Sequence, residues 1–445
     1  MHLNRRQRGA LRLYGLGMSG AVPLLKRRLR RRATAEPGYA LHPEQRLGHY
    51  PGITPVPGAV WIHAVSLGET RAAAILLRTL RQLQPDLRFL LTHGTATGWM
   101  AGQDLLQPGD RQVWQPWDTP AVVQRFMQHF QPRLGLLLET EVWPHWVEAC
   151  TTQGVPLYLV NARLSERSLR KALALPWLAL PAYGRLHSVL AQTAADAARL
   201  RQLGAPVRSI MGNLKYDVPL LPDQQALGRR WRAATDRPVI LLASSREGEE
   251  AQWLRLLQEL GDAAHGVQWL VVPRHPQRFA LVTQLIAQAG WNVSRRSQWT
   301  SATPPASLPG TVWLGDSLGE MQAYYHLASV AWLGGSFAPL GGQNLMEAGV
   351  CACPIVMGPH TFHFADAAQQ AETWGAAKRV TDLREAWTTT QTWLEHPGQY
   401  AQACQATVDW MAQGKGAARH CAEIVLQDLA ERTAGFAIDG RDERI

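Results

Sequence analysis

Short apolar runs alternate along most of this chain with longer stretches of helical periodicity. Residues 59–65, AVWIHAV, are almost wholly apolar and lead through Ser66-Leu67-Gly68-Glu69 into an apolar-periodic stretch that reaches Leu83. A continuous apolar run bounded by turn residues predicts an inner strand of a parallel sheet, and spacings of three and four predict the helix after it. The same pattern predicts strands at 87–92, 134–138, 156–160, 189–191 and 209–211. It starts again at 239–243 and continues through 268–272, 312–314, 331–333 and 355–357, after which 382–429 is mostly helical. Such alternation predicts a doubly wound α/β sheet, here made twice. Between the two series lie Pro219, Pro222, Asp223 and a charged run to Arg237, so 218–237 is expected to be the linker. The predicted domains are therefore 36–217 and 238–430, with an arm at 1–35 and a polar tail at 431–445.

The most informative stretch is 331–359, AWLGGSFAPLGGQNLMEAGVCACPIVMGP. Gly334-Gly335 and Gly341-Gly342 follow a strand and allow backbone to approach a ligand closely. Asn344 can cap the next helix, with Glu347 at the capping-box offset, and a helix end behind a glycine loop suits a phosphate. A tight turn that binds nothing also needs glycine, so spacing alone leaves both readings open.

At 445 residues the chain is long for one domain, and an apolar fraction of 46% excludes a disordered protein. The formal charge of +10 is concentrated at one end. Residues 1–32 hold ten Lys and Arg and no acid, which leaves 35 basic and 35 acidic residues in the rest. A neutral body with a basic head argues against a general nucleic-acid binder and for an arm on an anionic surface. Residues 13–25, LYGLGMSGAVPLL, would span about 20 Å as a helix, short of the roughly 30 Å hydrocarbon core. Gly15, Gly17, Gly20 and Pro23 weaken that helix, and the KRRLRRR run after it is wrong for a secretion signal. A membrane-associating segment in the cytoplasmic interface is the expectation. Cys150, Cys351, Cys353, Cys404 and Cys421 form no CxxC pair, which predicts a reducing compartment and no structural metal.

Ligands of such sheets bind beyond the carboxyl ends of the strands, where every polar cluster of this chain falls. Glu69 fits a capping box with Ser66 as well as it fits a catalytic carboxylate. Glu139 and Glu141 would share a strand face only if the strand continued, and Pro144 argues that it does not. No DxD occurs, so a divalent-metal nucleotide site of that kind has no support. Lys215 follows a strand, and Arg274-His275 sits between two prolines at another strand end. Arg suits phosphate or carboxylate recognition, although a surface ion pair would look the same.

Taken in order, WIHAVSLGET, LLLETEVWPHW, NARLSERS, GNLKYD, ASSREGEE, VPRHPQRF, GDSLGEM and GGSFAPLGGQNLMEAG closely resemble the bacterial Kdo (3-deoxy-D-manno-octulosonic acid) transferases. The resemblance runs from about residue 45 to 425. It implies a GT-B fold, two doubly wound Rossmann-like domains facing across a cleft, with the acceptor side first and the nucleotide-sugar side second. It also implies an inverting transfer of Kdo from CMP-Kdo to a lipid A precursor (lipid IVA) at the cytoplasmic face of the bacterial inner membrane, with no cofactor and no required metal. By motif, Glu69 resembles the general base, and Glu139 and Lys215 the transition-state stabilisers. The CMP moiety is expected on Pro273 and Arg274, on Leu318, Gly319 and Glu320, and on Asn344, Leu345, Met346 and Glu347. The chain departs from the family pattern at GGQNLME, usually GGHNPLE, and at Arg246, where a histidine is usual. Its N-terminal apolar segment is also shorter than the usual anchor. A UDP-sugar transferase acting on lipid, or a non-catalytic nucleotide-sugar-binding membrane protein, are the competing readings.

Overall fold

The computed structural model describes residues 3–299, 304 and 306–439. Val60–His63 and Leu134–Leu138 are buried at every position, as burial on both faces of a parallel sheet requires. They are the central strands of the first unit, which comprises residues up to Asp217 together with those from Gly414 onward. Its strands are β1 (Val60–His63), β2 (Phe89–His93), β3 (Arg111–Trp114), β4 (Leu134–Leu138), β5 (Leu157–Ala162), β6 (Ser188–Ala191) and β7 (Val207–Ile210). They form one parallel sheet in the order β3-β2-β1-β4-β5-β6-β7.

The second unit runs from Val218 to Gln413. It contains β8 (Val239–Ser245), β9 (Gln268–Pro273), β10 (Asn292–Arg295), β11 (Thr311–Leu314), β12 (Val330–Leu333), β13 (Ile355–Met357) and β14 (Ala377–Arg379). Their order is β10-β11-β9-β8-β12-β13-β14, again all parallel. Strand order reverses between β1 and β4 in one sheet and between β8 and β12 in the other. Those are the two places where crossovers diverge and leave room for a ligand.

Three strands were not predicted: β3, β10 and β14. All three lie at sheet edges, and their sequences RQVW, NVSR and AKR are too polar and short to read as apolar runs.

The segment expected to be a linker, 218–237, is instead part of the second unit. It holds the helix Pro222–Ala233, with Trp231 wholly buried and stacked on Tyr324. This helix packs on the helix Met321–Leu327 through Gly228, where a Cβ would lie 2.3 Å from the Ala323 carbonyl oxygen. The C-terminal boundary also differs from the expected 430. The helix Ala417–Asp439 belongs to the first unit, where Ala418, Cys421, Ala422 and Val425 join Leu76, Leu77 and Leu80 of α2 (Leu67–Leu83) in one core. The expected tail at 431–445 therefore begins as helix, and 440–445 lie outside the described residues.

The N-terminal arm is one helix, α1 (Arg5–Ala35), which continues through the glycines and Pro23 that were expected to weaken it. Asn4 and Gln7 form a reciprocal capping box at its start. Gly15 is buried because its bare Cα faces His145 and Pro120; a Cβ would lie 2.8 Å from His145 Nε2. Next to it Tyr14 stacks on His145 with ring centroids 5.4 Å apart. Packing of the helix against the body thus outweighs poor propensity. No described helix is long and apolar enough to cross a membrane.

Gly228→Leu should lower the unfolding free energy of the second unit by at least about 2 kcal/mol, because the helix contact has no room for a side chain. Urea unfolding measures it, and an unchanged midpoint would mean that 218–237 behaves as a linker.

Candidate active site

β1 ends at His63, and the chain turns through Val65 and Ser66 into α2. The Ser66 hydroxyl caps α2 by accepting from the Glu69 N–H at 3.3 Å. The Glu69 carboxylate reaches back, accepting from Val65 N at 2.8 Å and from the Ser66 hydroxyl at 3.0 Å. Ser66 therefore caps the helix as expected, but the box is partial, because the Glu69 carboxylate accepts from Val65 N and not from the Ser66 backbone. Capping does not exhaust the residue, because burial, reinforced by the nearby charges of Glu139 and Glu141, raises its pKa from 4.5 to about 7 against the lowering effect of the two hydrogen bonds. A carboxylate with that proton affinity suits general-base work at neutral pH.

Glu139 follows β4, the neighbour of β1 at the switch point. Its φ of +58° is left-handed, a conformation a non-glycine residue adopts at a cost of about 1–3 kcal/mol. The carboxylate is almost fully buried, 2.8 Å from Arg163 Nε and 3.7 Å from Lys215 Nζ. Glu141 lies past the strand end, held by the Trp143 indole N–H at 2.8 Å, and burial raises its pKa. Lys215 is in the short 3₁₀ turn Leu214–Tyr216, with its ammonium half-exposed. The structure thus gathers Glu69, Glu139 and Lys215 at the carboxyl ends of one sheet. Arg163 of the NARLSERS string, not singled out from the sequence, joins them through Glu139. Among the described residues, no three His, Cys, Asp or Glu side chains are placed to hold a metal ion.

In the second unit the end of β9 and the loops after β9, β11 and β12 carry the expected nucleotide-binding residues. Pro273 ends β9 and the Arg274 N–H donates to the Ser245 carbonyl at 3.0 Å, while the Arg274 side chain is exposed. Leu318 is 74% exposed beside Gly319, whose φ is +78°. Glu320 pairs with Arg296 at 2.8 Å and accepts from the Ser317 hydroxyl. Asn344 accepts from the Met346 N–H at 3.2 Å and donates to Glu347 at 3.1 Å. The capping box expected there does not form: Leu345 stands at the N-cap with no side-chain cap bond, and Asn344 precedes it by one residue. The helix that follows, Met346–Val350, has only five residues. So short a helix aligns few peptide dipoles, and the phosphate-binding helix end expected from the sequence is weak.

The glycines of this stretch have structural causes. A Cβ on Gly334 would lie 2.4 Å from the Ser244 carbonyl oxygen, so β8 and β12 can run side by side into the loop only with glycine there. The loop is held by a residue that the sequence reading passed over. Glu249 is wholly buried; one carboxylate oxygen accepts from Arg246 N at 2.9 Å and Gly335 N at 2.7 Å, the other from Phe337 N at 3.1 Å and Ala338 N at 3.3 Å. The offset of three from Arg246 was the available signal, hidden in an acidic run that reads as a helix start. Around it Ser245, Glu250, Arg278, Glu247 and Arg246 form a chain of side-chain contacts, so Arg246 is partly neutralised by Glu247 at 3.0 Å.

Glu249→Gln replaces one of two accepting oxygens by an NH₂ group and leaves two buried N–H donors unanswered. It should lower the unfolding free energy of the second unit by at least about 2 kcal/mol. Urea unfolding checks this; an unaltered midpoint would show that the loops hold without the carboxylate.

Comparison with known proteins agrees with the motifs. Residues 42–218 match the family described as 3-deoxy-D-manno-octulosonic-acid transferase (kdotransferase). The chain is 43% identical over 420 residues to the 3-deoxy-D-manno-octulosonic acid transferase of Bordetella pertussis, covering 92% of this chain and 96% of that one. It is 32% identical over 337 residues to the transferase of that name from Haemophilus influenzae, covering 74% and 78%. Among solved structures, MurG of Acinetobacter baumannii has the same fold at 13% identity, with a TM-score of 0.52 over 83% of this chain and all of that one. Two parallel seven-stranded α/β units of GT-B type, motifs in family order and an identity of 43% across nearly the whole length establish that the chain belongs to the Kdo transferases, a family of glycosyltransferases.

Proposed function

We propose that this Kdo transferase takes its sugar from CMP-Kdo and passes it, with inversion, to a sugar hydroxyl of a lipid A precursor such as lipid IVA, in lipopolysaccharide synthesis. The observation that carries the reading is Glu69, a carboxylate anchored at the end of a central strand with its pKa raised to about 7. As the acceptor oxygen bonds to the anomeric carbon, its proton passes to Glu69, the bond from that carbon to the phosphate oxygen breaks, and CMP leaves. The ketose centre gains oxocarbenium character and the leaving phosphate gains charge. Lys215, held by Glu139, supplies positive charge to this transition state. Arg274 offers the nucleotide phosphate a cation, and Pro273, Leu318, Gly319, Glu320 and Asn344 through Glu347 line the remainder of the CMP site. No step of this scheme needs a metal ion.

The acceptor is a lipid, and α1 supports a place at the cytoplasmic face of the inner membrane. Leu13, Leu16 and Leu24 are 71%, 71% and 68% exposed in the uncharged stretch of α1, which basic clusters flank on both sides. Arg6 lies over the ring of Trp177, which with Leu180 is itself exposed on the neighbouring helix Pro176–Gly184, next to the exposed Leu175 at its N-cap. Apolar side chains flanked by arginine suit the interface of an anionic bilayer.

With a tetraacyl lipid A precursor, freshly made CMP-Kdo and EDTA, mass spectrometry should show a gain of Kdo. Glu69→Gln keeps the cap and should cost about 10²–10⁴ in rate. A base must be deprotonated, so kcat/KM should fall below pH 7 in the parent and lose that limb in the variant. Because the folded-state pKa lies above the ordinary 4.5, Glu69 favours folding less as pH rises from 4.5 to 7. Glu69→Gln should therefore melt no lower than the parent at pH 8; a large loss of stability there would make Glu69 a cap alone. The protein should also float with vesicles containing anionic lipid and detach in high salt, and Leu13→Ser with Leu16→Ser should weaken flotation. Equal binding to neutral vesicles would overturn the basic-apolar surface.

A further inference from the structure

Lys215 carries a long, flexible side chain, yet its ammonium stands 3.7 Å from Glu139. The backbone that leads into it is held by a closed ring of amides. Asn161, at the end of β5, is wholly buried with a left-handed φ of +51°, and the β5–β6 register shifts beside it. Its side-chain oxygen accepts from the Leu214 N–H at 3.1 Å, and its backbone oxygen accepts from Gln192 Nε2 at 2.9 Å. Gln192 Oε1 in turn accepts from Asn213 Nδ2 at 3.1 Å, and Asn213 Oδ1 accepts from the Lys215 N–H at 3.0 Å. Gln192 is itself fixed, because its N–H donates to the Ala162 carbonyl at 2.8 Å.

The backbone beyond Lys215 is anchored as well. Tyr216 packs against Gly414, and the Asp217 carboxylate accepts from the Gly416 and Ala418 N–H groups, both at 2.6 Å. Glu139, the partner of Lys215, is tied to the same strand: its N–H donates to Val160 at 3.1 Å and its carbonyl accepts from the Arg163 N–H at 3.2 Å. The ring contains only neutral amides. A carboxylate in place of Gln192 or Asn213 could not supply the N–H donors the ring uses, whereas an amide offers both donor and acceptor without charge.

We propose that Gln192, closing this ring with Asn161 and Asn213, is a positioning residue for Lys215, and that it supports turnover only by setting the ammonium against Glu139. This rests on the reading of Lys215 as the group that answers transition-state charge. The test uses the full chain with Gln192→Met, Lys215→Ala and the double variant. Gln192→Met should lower kcat about 10–100-fold with little change in donor KM, since small misplacements cost rate before binding. The double variant should be no slower than Lys215→Ala. A double variant slower by the whole Gln192→Met factor, or a Gln192→Met enzyme as fast as the parent, would overturn the proposal. Lys215→Ala at the parent rate would instead overturn the role given to Lys215, and this proposal with it. Reductive ¹³C-methylation gives a readout independent of turnover, because the chain has few lysines: Lys26, Lys171, Lys215, Lys378 and Lys415. The dimethyl-Lys215 resonance, assigned by its loss in Lys215→Ala, should move toward the others in Gln192→Met. An unmoved resonance decides against the ring even where Lys215→Ala has no measurable rate.

Discussion

The loops that leave the central strands bury backbone N–H groups, and a buried donor without a partner costs as much as a lost hydrogen bond. In the second unit one carboxylate meets that constraint. Glu249 binds four N–H groups drawn from the loops after β8 and β12, which are also the loops at the switch point. Burial raises its pKa while the four donors pull it down. The loops of the switch point are thus framed by an acidic residue whose carboxylate is turned onto their own backbone. Its work is to keep glycine-rich backbone in one conformation.

A second constraint is visible in the backbone itself. Glu139, Asn161 and Ser244, at the ends of β4, β5 and β8, all have φ between +51° and +58°. Each turns the chain sharply where a parallel strand gives way to a loop, and two coincide with a shift in strand register. Such residues persist only where surrounding contacts over-determine them. For Asn161 those contacts are the amide ring, and for Glu139 they are Arg163 and Lys215. Strain is therefore located where side chains must be aimed.

Glu69 shows that a structural and a chemical role need not compete. The Val65 N–H and the Ser66 hydroxyl fix the carboxylate as a helix cap and lower its proton affinity, whereas burial and two neighbouring carboxylates raise it further. The outcome near neutrality is the balance of these opposing effects. It could not be read from the string SLGE, which specifies the cap but not the depth of burial or the company of Glu139 and Glu141.

By itself the sequence determined the paired α/β architecture, because inner parallel strands are buried on both faces and appear as unbroken apolar runs. It also determined the family, because eight strings in fixed order leave little freedom. Three of the four sheet edges escaped it: RQVW, NVSR and AKR are half-solvated and carry no such run. Only the tertiary structure decided that Pro222–Ala233 is a packed helix, since the proline and charges that suggested a linker say nothing of Gly228 meeting the Ala323 carbonyl. Only the tertiary structure returned the last helix to the first unit, through Asp217 and the core around Leu76. The same holds for the candidate site. Residue type and motif named Glu69, Glu139 and Lys215, but the distances among carboxylates and cations depend on strands far apart in the chain. Proton affinity and aim follow from those distances, so Arg163 and Gln192, and the reach of Glu249 to the loop after β12, became visible only once the strands were side by side.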